Sequence, residues 1–191
     1  MKKRTVFVGA LLSLIPLGQP LIIKTGAVLS TAGIMLSLPE KVYANNAEFY
    51  YDRANDKAKR GDHYGAISDF TKAIAINSYY ADAYINRGYS KHMIKDYVGA
   101  INDFNKALTM DKGDPIIYNN LAWTKRKIND YYGSIFDATK AIELDPNYAN
   151  PYLNRGVAKK NLGDMKGACD DWRKASSLGN KSTAKWVRNQ C

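Results

Sequence analysis

The sequence predicts an all-α protein, a solenoid of antiparallel helix pairs, on three observations. Four segments of 34 residues follow one another without a gap over residues 47–182. The second half of each segment carries apolar residues at three- and four-residue spacing, the period of an amphipathic helix. The chain lacks the apolar–polar alternation that is typical of a half-buried strand. Stacked helical hairpins fit all three observations.

The first 44 residues precede the repeats and differ from them in composition. A basic start at residues 2–4 is followed by two apolar stretches, 5–17 and 26–38, and then by the small residue Ala44. This order is typical of a secretory signal, and each stretch is shorter than the roughly 20 residues that span a bilayer. We therefore expect a leader cleaved after Ala44 and a mature protein in the periplasm or thylakoid lumen. The alternative is an uncleaved leader that tethers the exported protein to the membrane.

The 34-residue period is clearest in the second and fourth units. Tyr-Ile-Asn-Arg-Gly at residues 84–88 matches Tyr-Leu-Asn-Arg-Gly at residues 152–156. The third unit shares their phase, and the first unit is more divergent. The four units are residues 47–80, 81–114, 115–148 and 149–182.

Each unit carries local signals for two helices and a turn. The first half holds an aromatic residue and, four positions later, a small residue that lets two helices approach closely, as at Tyr84 and Gly88. An aspartate at the turn is expected to cap the second helix, because its carboxylate can accept from the free N–H groups of the first turn. These aspartates are Asp62, Asp96, Asp130 and Asp164.

Each second helix also carries an aspartate three residues before a lysine. Such pairs stabilise a helix by roughly 0.2–0.5 kcal/mol each and are typical of an exposed face. We interpret them as helix support on a solvated surface. The pairs are Asp69/Lys72, Asp103/Lys106, Asp137/Lys140 and Asp171/Lys174.

The repeating pattern resembles the tetratricopeptide repeat (TPR), in particular exported bacterial proteins of that family. The resemblance is carried by Gly-Asp-x-x-Gly-Ala at residues 61–66 and 163–168 and by Lys-Ala-Ile-Glu-Leu-Asp-Pro-Asn at residues 140–147. It implies a right-handed solenoid of four repeats. We expect residues 183–191 to form a capping helix that covers the last apolar face. The end of the fourth unit, residues 173–180, is also similar to Sel1-like repeats.

The two cysteines are placed to meet. Cys169 lies in the second helix of the fourth unit and Cys191 in the capping helix, each 11 residues from the turn near Asn180. An antiparallel hairpin sets them at the same level, and an exported protein meets oxidising conditions. We predict a disulfide that stabilises by roughly 3 kcal/mol in the chain-entropy model. The alternative is a small core residue at position 169 and a frayed end at position 191.

Residues for catalysis or metal binding are scarce. The chain has two His and two Cys. His63 lies in an inter-helix turn, and His92 lies on a first helix with neither cysteine nor acid placed to activate it. No glycine-rich phosphate loop follows a strand. We predict a protein that is not an enzyme, uses no cofactor or metal, and acts by recognition.

The sixth residue of each unit indicates a binding groove. In stacked helix pairs the first helices line the concave face, and there the last three units carry Asn86, Asn120 and Asn154, the asparagine ladder. An asparagine amide offers donors and an acceptor to a peptide backbone. Because similarly placed asparagines grip extended peptides in the TPR family, the resemblance implies that an extended segment or tail of a partner protein binds here. The alternative is that duplication of the unit left these asparagines on a solvated face that binds nothing.

Two further sets of residues surround the ladder. The ninth residue of the first three units is Asn55, Tyr89 or Trp123, and the aromatic rings are expected to stack on or cover a ligand side chain. Lysines at the eleventh position indicate either a basic groove edge that favours acidic peptides or C-termini, or an ordinary solvated face, which is the more common case for a single lysine. These lysines are Lys57, Lys91, Lys125 and Lys159.

A two-carboxylate clamp found in chaperone-binding TPR proteins is incomplete here. Asn55 and Asn86 match its asparagines, but Tyr51 stands in place of its first lysine. Ile116 and Asn120 stand in place of its later lysine and arginine. Binding of a chaperone C-terminus is therefore not expected.

The charge of the chain gives little support to nucleic-acid binding. The full sequence has 28 Lys+Arg and 18 Asp+Glu, a formal charge of +10. Residues 1–44 hold five of the basic residues and one of the acidic ones, so the remainder has 23 against 17, or +6. Because this charge is spread over four units and interleaved with acids, it favours a protein partner over a polyanion.

Overall fold

The computed structural model describes residues 46–191, and the predicted leader lies outside this range. Nine α-helices and their connecting turns make up the described part of the chain. They are α1 (Ala47–Lys59), α2 (His63–Ile76), α3 (Ala81–Met93), α4 (Tyr97–Leu108), α5 (Pro115–Lys127), α6 (Tyr131–Leu144), α7 (Ala149–Asn161), α8 (Met165–Ser177) and α9 (Lys181–Gln190). None of these nine helices is long and apolar enough to cross a membrane.

The helices pack as four consecutive pairs. The two helices of a pair make the most extensive contacts, and the second helix also packs against the first helix of the next pair. First helices of neighbouring pairs touch one another, most extensively α5 and α7. This arrangement continues without a strand over residues 46–191 and confirms the predicted all-α solenoid.

The aspartate at each turn caps a second helix, as predicted. In every pair its carboxylate accepts a hydrogen bond, 2.8–2.9 Å long, from the backbone N–H three residues further on. The donor is always a glycine, and a Cβ there would overlap the capping carboxylate. The donor–acceptor pairs are Gly65–Asp62, Gly99–Asp96, Gly133–Asp130 and Gly167–Asp164. The Asp-x-x-Gly spacing therefore sets where each second helix begins.

Small residues on the first helices admit large rings from the second helices. A Cβ added at Gly88 would lie 2.8 Å from Cε1 of Phe104, and one added at Gly156 would lie 2.5 Å from Nε1 of Trp172. Both rings are fully buried. The predicted close approach of the paired helices is thus confirmed, and it depends on the missing side chain.

The last helix, α9, covers the end of the array. It starts two residues before the predicted position 183, because the side chain of Asn180 accepts from the backbone N–H groups of Ser182 and Thr183 and so caps the helix there. Trp186 of α9 packs edge-to-face on Trp172, with ring centroids 5.2 Å apart.

The structure brings the two cysteines together. The sulfur atoms of Cys169 on α8 and Cys191, just after α9, lie 2.06 Å apart, and the Cα atoms lie 5.6 Å apart. The pair connects the last helix to the fourth helix pair.

Candidate functional site

Asn86, the first member of the asparagine ladder, ties α3 to the preceding pair. Its Nδ2 donates to Tyr51 Oη and to Asn55 Oδ1, at 3.0 Å in both cases. Both acceptors lie on α1, and all three side chains are partly buried. Asn86 and Asn55 therefore form one hydrogen-bonded group across the contact between α1 and α3.

Asn154 makes the equivalent connection between α5 and α7. Its Nδ2 donates to Asn119 Oδ1 at 2.9 Å, and the side chain is buried. Its own Oδ1 is also buried and accepts no hydrogen bond from any residue of the described range. The sequence interpretation missed Asn119, which stands 35 residues before its partner, one more than the repeat length. Tyr51 and Asn86 share that 35-residue offset, the signal that could have found it.

Asn120 differs from the other two members of the ladder. The residue 35 positions before it is Ile85, which offers no polar side-chain atom. Within residues 46–191 the Asn120 side-chain amide makes no hydrogen bond, and the side chain is partly exposed. Its donors and acceptor are therefore open to a ligand.

The predicted aromatic residues form a wall beside the ladder. The rings of Tyr89 and Trp123 lie 6.0 Å apart between centroids. The His92 ring stacks on Trp123 at a centroid distance of 3.5 Å. The stacking on His92 fixes the position of the Trp123 ring.

His92 is a buried positioning residue in this wall. Its Nδ1 lies 2.9 Å from Thr124 Oγ1, and that hydroxyl donates its single proton to the carbonyl of Asn120. Burial, reinforced by Lys127 and Arg126, lowers the pKa of His92 to about 4, so the ring is neutral at ordinary pH.

Two cavities open along the first helices. One, of about 300 Å³, lies among α3, α5 and α7, and we name it the α5–α7 cavity. The other, of about 460 Å³, lies between α1 and α3 and is named the α1–α3 cavity. Tyr89 lines both. The α5–α7 cavity also holds Trp123, Asn120 and Asn154, and the α1–α3 cavity holds Asn55 and Asn86. The structure thus gathers all six predicted groove residues around two adjoining cavities.

The predicted basic groove edge is wrong. Each lysine at the eleventh position forms an ion pair of 2.7–2.9 Å with a buried aspartate on the second helix of its own unit. The pairs are Lys57–Asp69, Lys91–Asp103, Lys125–Asp137 and Lys159–Asp171. Their charges are therefore compensated inside the protein and are not available along the groove.

The same contacts correct the interpretation of the aspartate–lysine pairs on the second helices. The four aspartates are 1–5% exposed, so they do not lie on a solvated face. In three units an arginine also grips the aspartate with two nitrogens, a bidentate geometry that suits a buried carboxylate. These arginines are Arg53, Arg87 and Arg155. The predicted Asp69/Lys72 pair does form, at 3.8 Å, but the spacing of three residues within one helix concealed the partners on the neighbouring helix.

The third unit departs from this ion-pair pattern. Leu121, 1% exposed, occupies the arginine position, so among residues 46–191 Lys125 is the one cation that pairs with Asp137. Burial outweighs this single partner and raises the pKa of Asp137. At Asp69 burial also acts to raise the pKa, but hydrogen bonds from Arg53 and Lys57 outweigh it, and the pKa falls below its usual value.

The third unit places an arginine on the cavity wall instead. Arg126 is partly buried and lines the α5–α7 cavity. Its Nε is buried and makes no hydrogen bond to any part of the chain that the structure describes, and burial lowers the pKa of its guanidinium. The sequence interpretation missed Arg126 because its counterparts are Ala58, His92 and Lys160, which show no shared chemistry.

No metal centre is formed by the described residues: within residues 46–191 no three His, Cys, Asp or Glu side chains are arranged to hold an ion.

Paired helices with Asp-x-x-Gly caps and a groove of amides and rings define a helical-repeat protein. The tetratricopeptide repeat family model matches residues 116–148, which lie in the third unit. No curated protein matches the chain. The matched segment, residues 116–148, is a tetratricopeptide repeat, and the described part of the chain has the fold of a tetratricopeptide repeat solenoid.

Solved structures share this fold at low sequence identity. A crystal structure of MamA is 22% identical, covers 76% of this chain and 86% of its own, and has a TM-score of 0.69. A MamA fragment from Desulfovibrio magneticus RS-1 is 22% identical over 70% of this chain and 76% of its own, with a TM-score of 0.66. The first TPR of Spaghetti (RPAP3), bound to the HSP90 peptide SRMEEVD, is 19% identical over 63% of this chain and 95% of its own, with a TM-score of 0.61.

Proposed function

We propose that the protein is an interaction scaffold that binds an extended segment of a partner protein along α1, α3, α5 and α7. The observation that carries the proposal is the pair of adjoining cavities, which share Tyr89 and are lined by amides and aromatic rings. A shared wall leaves a path along which an extended chain can place successive side chains in both cavities.

The polar groups of the groove suit a peptide backbone. The Asn120 amide is unbonded within the described range and partly exposed, so a ligand can reach it. Each hydrogen bond that it makes to a ligand contributes about 0.5–1.5 kcal/mol. An extended peptide offers an N–H and a C=O at each residue, and it is therefore the ligand we propose.

The solved complex of Spaghetti (RPAP3) with an HSP90 peptide supports a peptide as the class of ligand. This chain carries no cation at the three positions where chaperone-binding relatives have them, which are Tyr51, Ile116 and Asn120. The segment we propose is consequently a different one, whose contacts centre on amides and rings.

Asn120→Ala tests the groove without disturbing a hydrogen bond of that side chain inside the described part of the protein. Random 12-residue peptides displayed on phage are selected on the full chain with its disulfide intact, and affinities of the selected peptides are measured by fluorescence anisotropy. We expect N120A to weaken binding about 5- to 10-fold, because one or two hydrogen bonds are lost.

Asn105→Ala is the matched control, because Asn105 is exposed on α4, a second helix. It should leave the affinity unchanged. Equal affinities of the wild type, N120A and N105A would show that the selected peptides bind elsewhere and would overturn the proposal.

We also propose that the protein works after export. Cys169 and Cys191 at bonding distance support this, since disulfides persist in oxidising compartments. N-terminal sequencing of the protein from its native cell should give Asn45 as the first residue. A full-length protein in a carbonate-resistant membrane fraction would instead establish the tethered form, and a full-length protein in the cytoplasm would contradict export.

A further inference from the structure

The α5–α7 cavity contains a cation whose charge the described residues do not compensate. No carboxylate among residues 46–191 lies within salt-bridge distance of the Arg126 guanidinium, which is partly buried. Arg87 and Arg155, on neighbouring first helices, both grip a buried aspartate. Burying a charge without a partner is unfavourable, so an arginine on a cavity wall favours an anion in that cavity.

The surroundings of Arg126 strengthen this preference. Lys127 follows it on α5, and His92 nearby is held neutral by burial and by these two cations. The remaining wall consists of amides and aromatic rings, among them Trp123 and Tyr148. Arg126 is the one charged side chain among the described residues that line the cavity, and no carboxylate lines it, although Asp114 and Asp145 act on Tyr148 from outside the lining.

The shape of the guanidinium and a neighbouring amide indicate the kind of anion. A guanidinium presents two parallel N–H groups that match the two oxygens of a carboxylate. The Asn120 amide, partly exposed on the same cavity wall, can pair with the N–H and C=O groups of a peptide backbone. A peptide residue with an acidic side chain offers partners to both groups.

We propose that the α5–α7 cavity receives the side chain of a glutamate or aspartate in the bound segment, paired with Arg126. The inference rests on the proposed peptide binding and names the chemistry of one position in the ligand. Because the path continues past Tyr89 into the α1–α3 cavity, the segment runs on through the groove, which favours a side chain over a chain end. Arg126 lies six residues after Asn120, the incomplete clamp position, so this subsite is distinct from that clamp.

Defined peptide pools test the proposal on the full chain. Each pool contains 11-residue peptides, acetylated and amidated, with ten mixed uncharged residues around a central Glu or a central Gln. We expect the wild type to bind the Glu pool about tenfold more tightly than the Gln pool by fluorescence anisotropy, because a charge-assisted bidentate pair is gained. Arg126→Gln should bind both pools as the wild type binds the Gln pool.

Lys127→Gln is the matched control, because it removes one positive charge from the next residue, which is exposed. It should keep most of the Glu preference. Folding of both variants is checked by circular dichroism, and the melting temperature of R126Q should not fall, because no ion pair within the described residues is lost.

The outcomes separate this inference from the proposed function. Equal binding of both pools by the wild type leaves peptide binding standing and overturns the acidic subsite, whereas binding of neither pool overturns both. A Glu preference that survives in R126Q assigns the carboxylate to another cation and contradicts the proposal. If a Gln pool with a free C-terminus binds more tightly than the Glu pool, the ligand of the cavity is a peptide C-terminus and the proposal is wrong. If a 12-nucleotide dT strand binds more tightly than the Glu pool, the ligand is a nucleic acid and the proposal is also wrong.

Discussion

The second and third helix pairs share the same kind of cap, yet they place their arginines in opposite environments. In the second pair Arg87 lies inside, gripping Asp103, and Phe104 fills the space above Gly88. In the third pair Leu121 lies inside, Ala138 replaces the large ring, and an arginine stands five residues after the leucine, at the cavity. The second pair has an arginine that binds a buried aspartate, and the third pair has instead an arginine that lines the α5–α7 cavity.

This difference shows how one repeat can lose its arginine–aspartate pair and remain packed. Leu121 is buried in the same cluster as Phe104 and Ile117, so apolar packing replaces the missing ion pair. Because a leucine stands where the other pairs have an arginine, Asp137 is left with Lys125 alone. Arg126, on the groove side of the third pair, takes no part in an ion pair within the described residues.

The largest expected effect comes from removing the buried aspartate in each pair. Asp103→Ala leaves Arg87 and Lys91 partly buried without their partner and should cost about 4 kcal/mol. Asp137→Ala strands Lys125 only and should cost about 2 kcal/mol. Urea unfolding followed by circular dichroism measures both losses.

The control for both variants is Asp56→Ala, whose weak surface pair with Lys59 should contribute less than about 1 kcal/mol. Equal losses for D103A and D137A would show that the arginine adds nothing to the second pair. The proposed difference in ion-pair stabilisation between the second and third helix pairs would then be wrong.

Leu121→Ala tests whether packing supports the third pair. The side chain is 1% exposed, so its truncation should leave a cavity and cost about 3 kcal/mol in urea unfolding. The loss should be unchanged at high salt, because no charge is involved. Leu162→Ala, at a residue 38% exposed, should cost much less. A similar loss of stability at both leucines would show that the packing of Leu121 does not specifically support the third pair.

The smallest effect is a difference in pH dependence between pairs with and without the arginine. The raised pKa of Asp137 means that the native state binds the proton more tightly than the unfolded chain does. Relative to D137N, the wild type should therefore lose stability as the pH rises from the usual carboxyl value of 3.8 through that raised pKa.

Asp69 should behave oppositely. Its pKa lies below 3.8, so the stability it provides is complete above that value and is lost as the pH falls through its native pKa. Urea unfolding of the wild type, D137N and D69N across this pH range measures both trends. Parallel curves for the two variants would contradict the assignment.

The features that the sequence predicted are those that act within one hairpin or repeat at a fixed spacing. Asp62 and Gly65 lie three residues apart, and the pairing of Cys169 with Cys191 follows from the length of two antiparallel helices. Such relations depend on local geometry, which the periodic pattern carries. The all-α fold was therefore accessible from the sequence.

The features that the sequence concealed depend on side chains that cross between helices. Lys91 and Asp103 each belong to a repeating set in the sequence, but their ion pair joins two helices, and the pattern along one helix does not indicate which side chain of another helix it contacts. Asn119 meets Asn154 one residue out of step with the repeat. Arg126 gains its significance from a cavity that three helices form together, and no spacing along the chain encodes that.

The disulfide between Cys169 and Cys191 makes the end of the described solenoid at α9 more resistant to local opening. In a linear stack of helix pairs, local opening begins at the ends, where a terminal element has a single neighbour. The disulfide obliges α8 and α9 to separate from α7 as one body, which makes peeling at this end a larger and rarer event. Asn154 on α7 forms the far side of the α5–α7 cavity and stands next to this covalently closed end. A partner that binds there would dock beside the end of the described solenoid that the disulfide holds together.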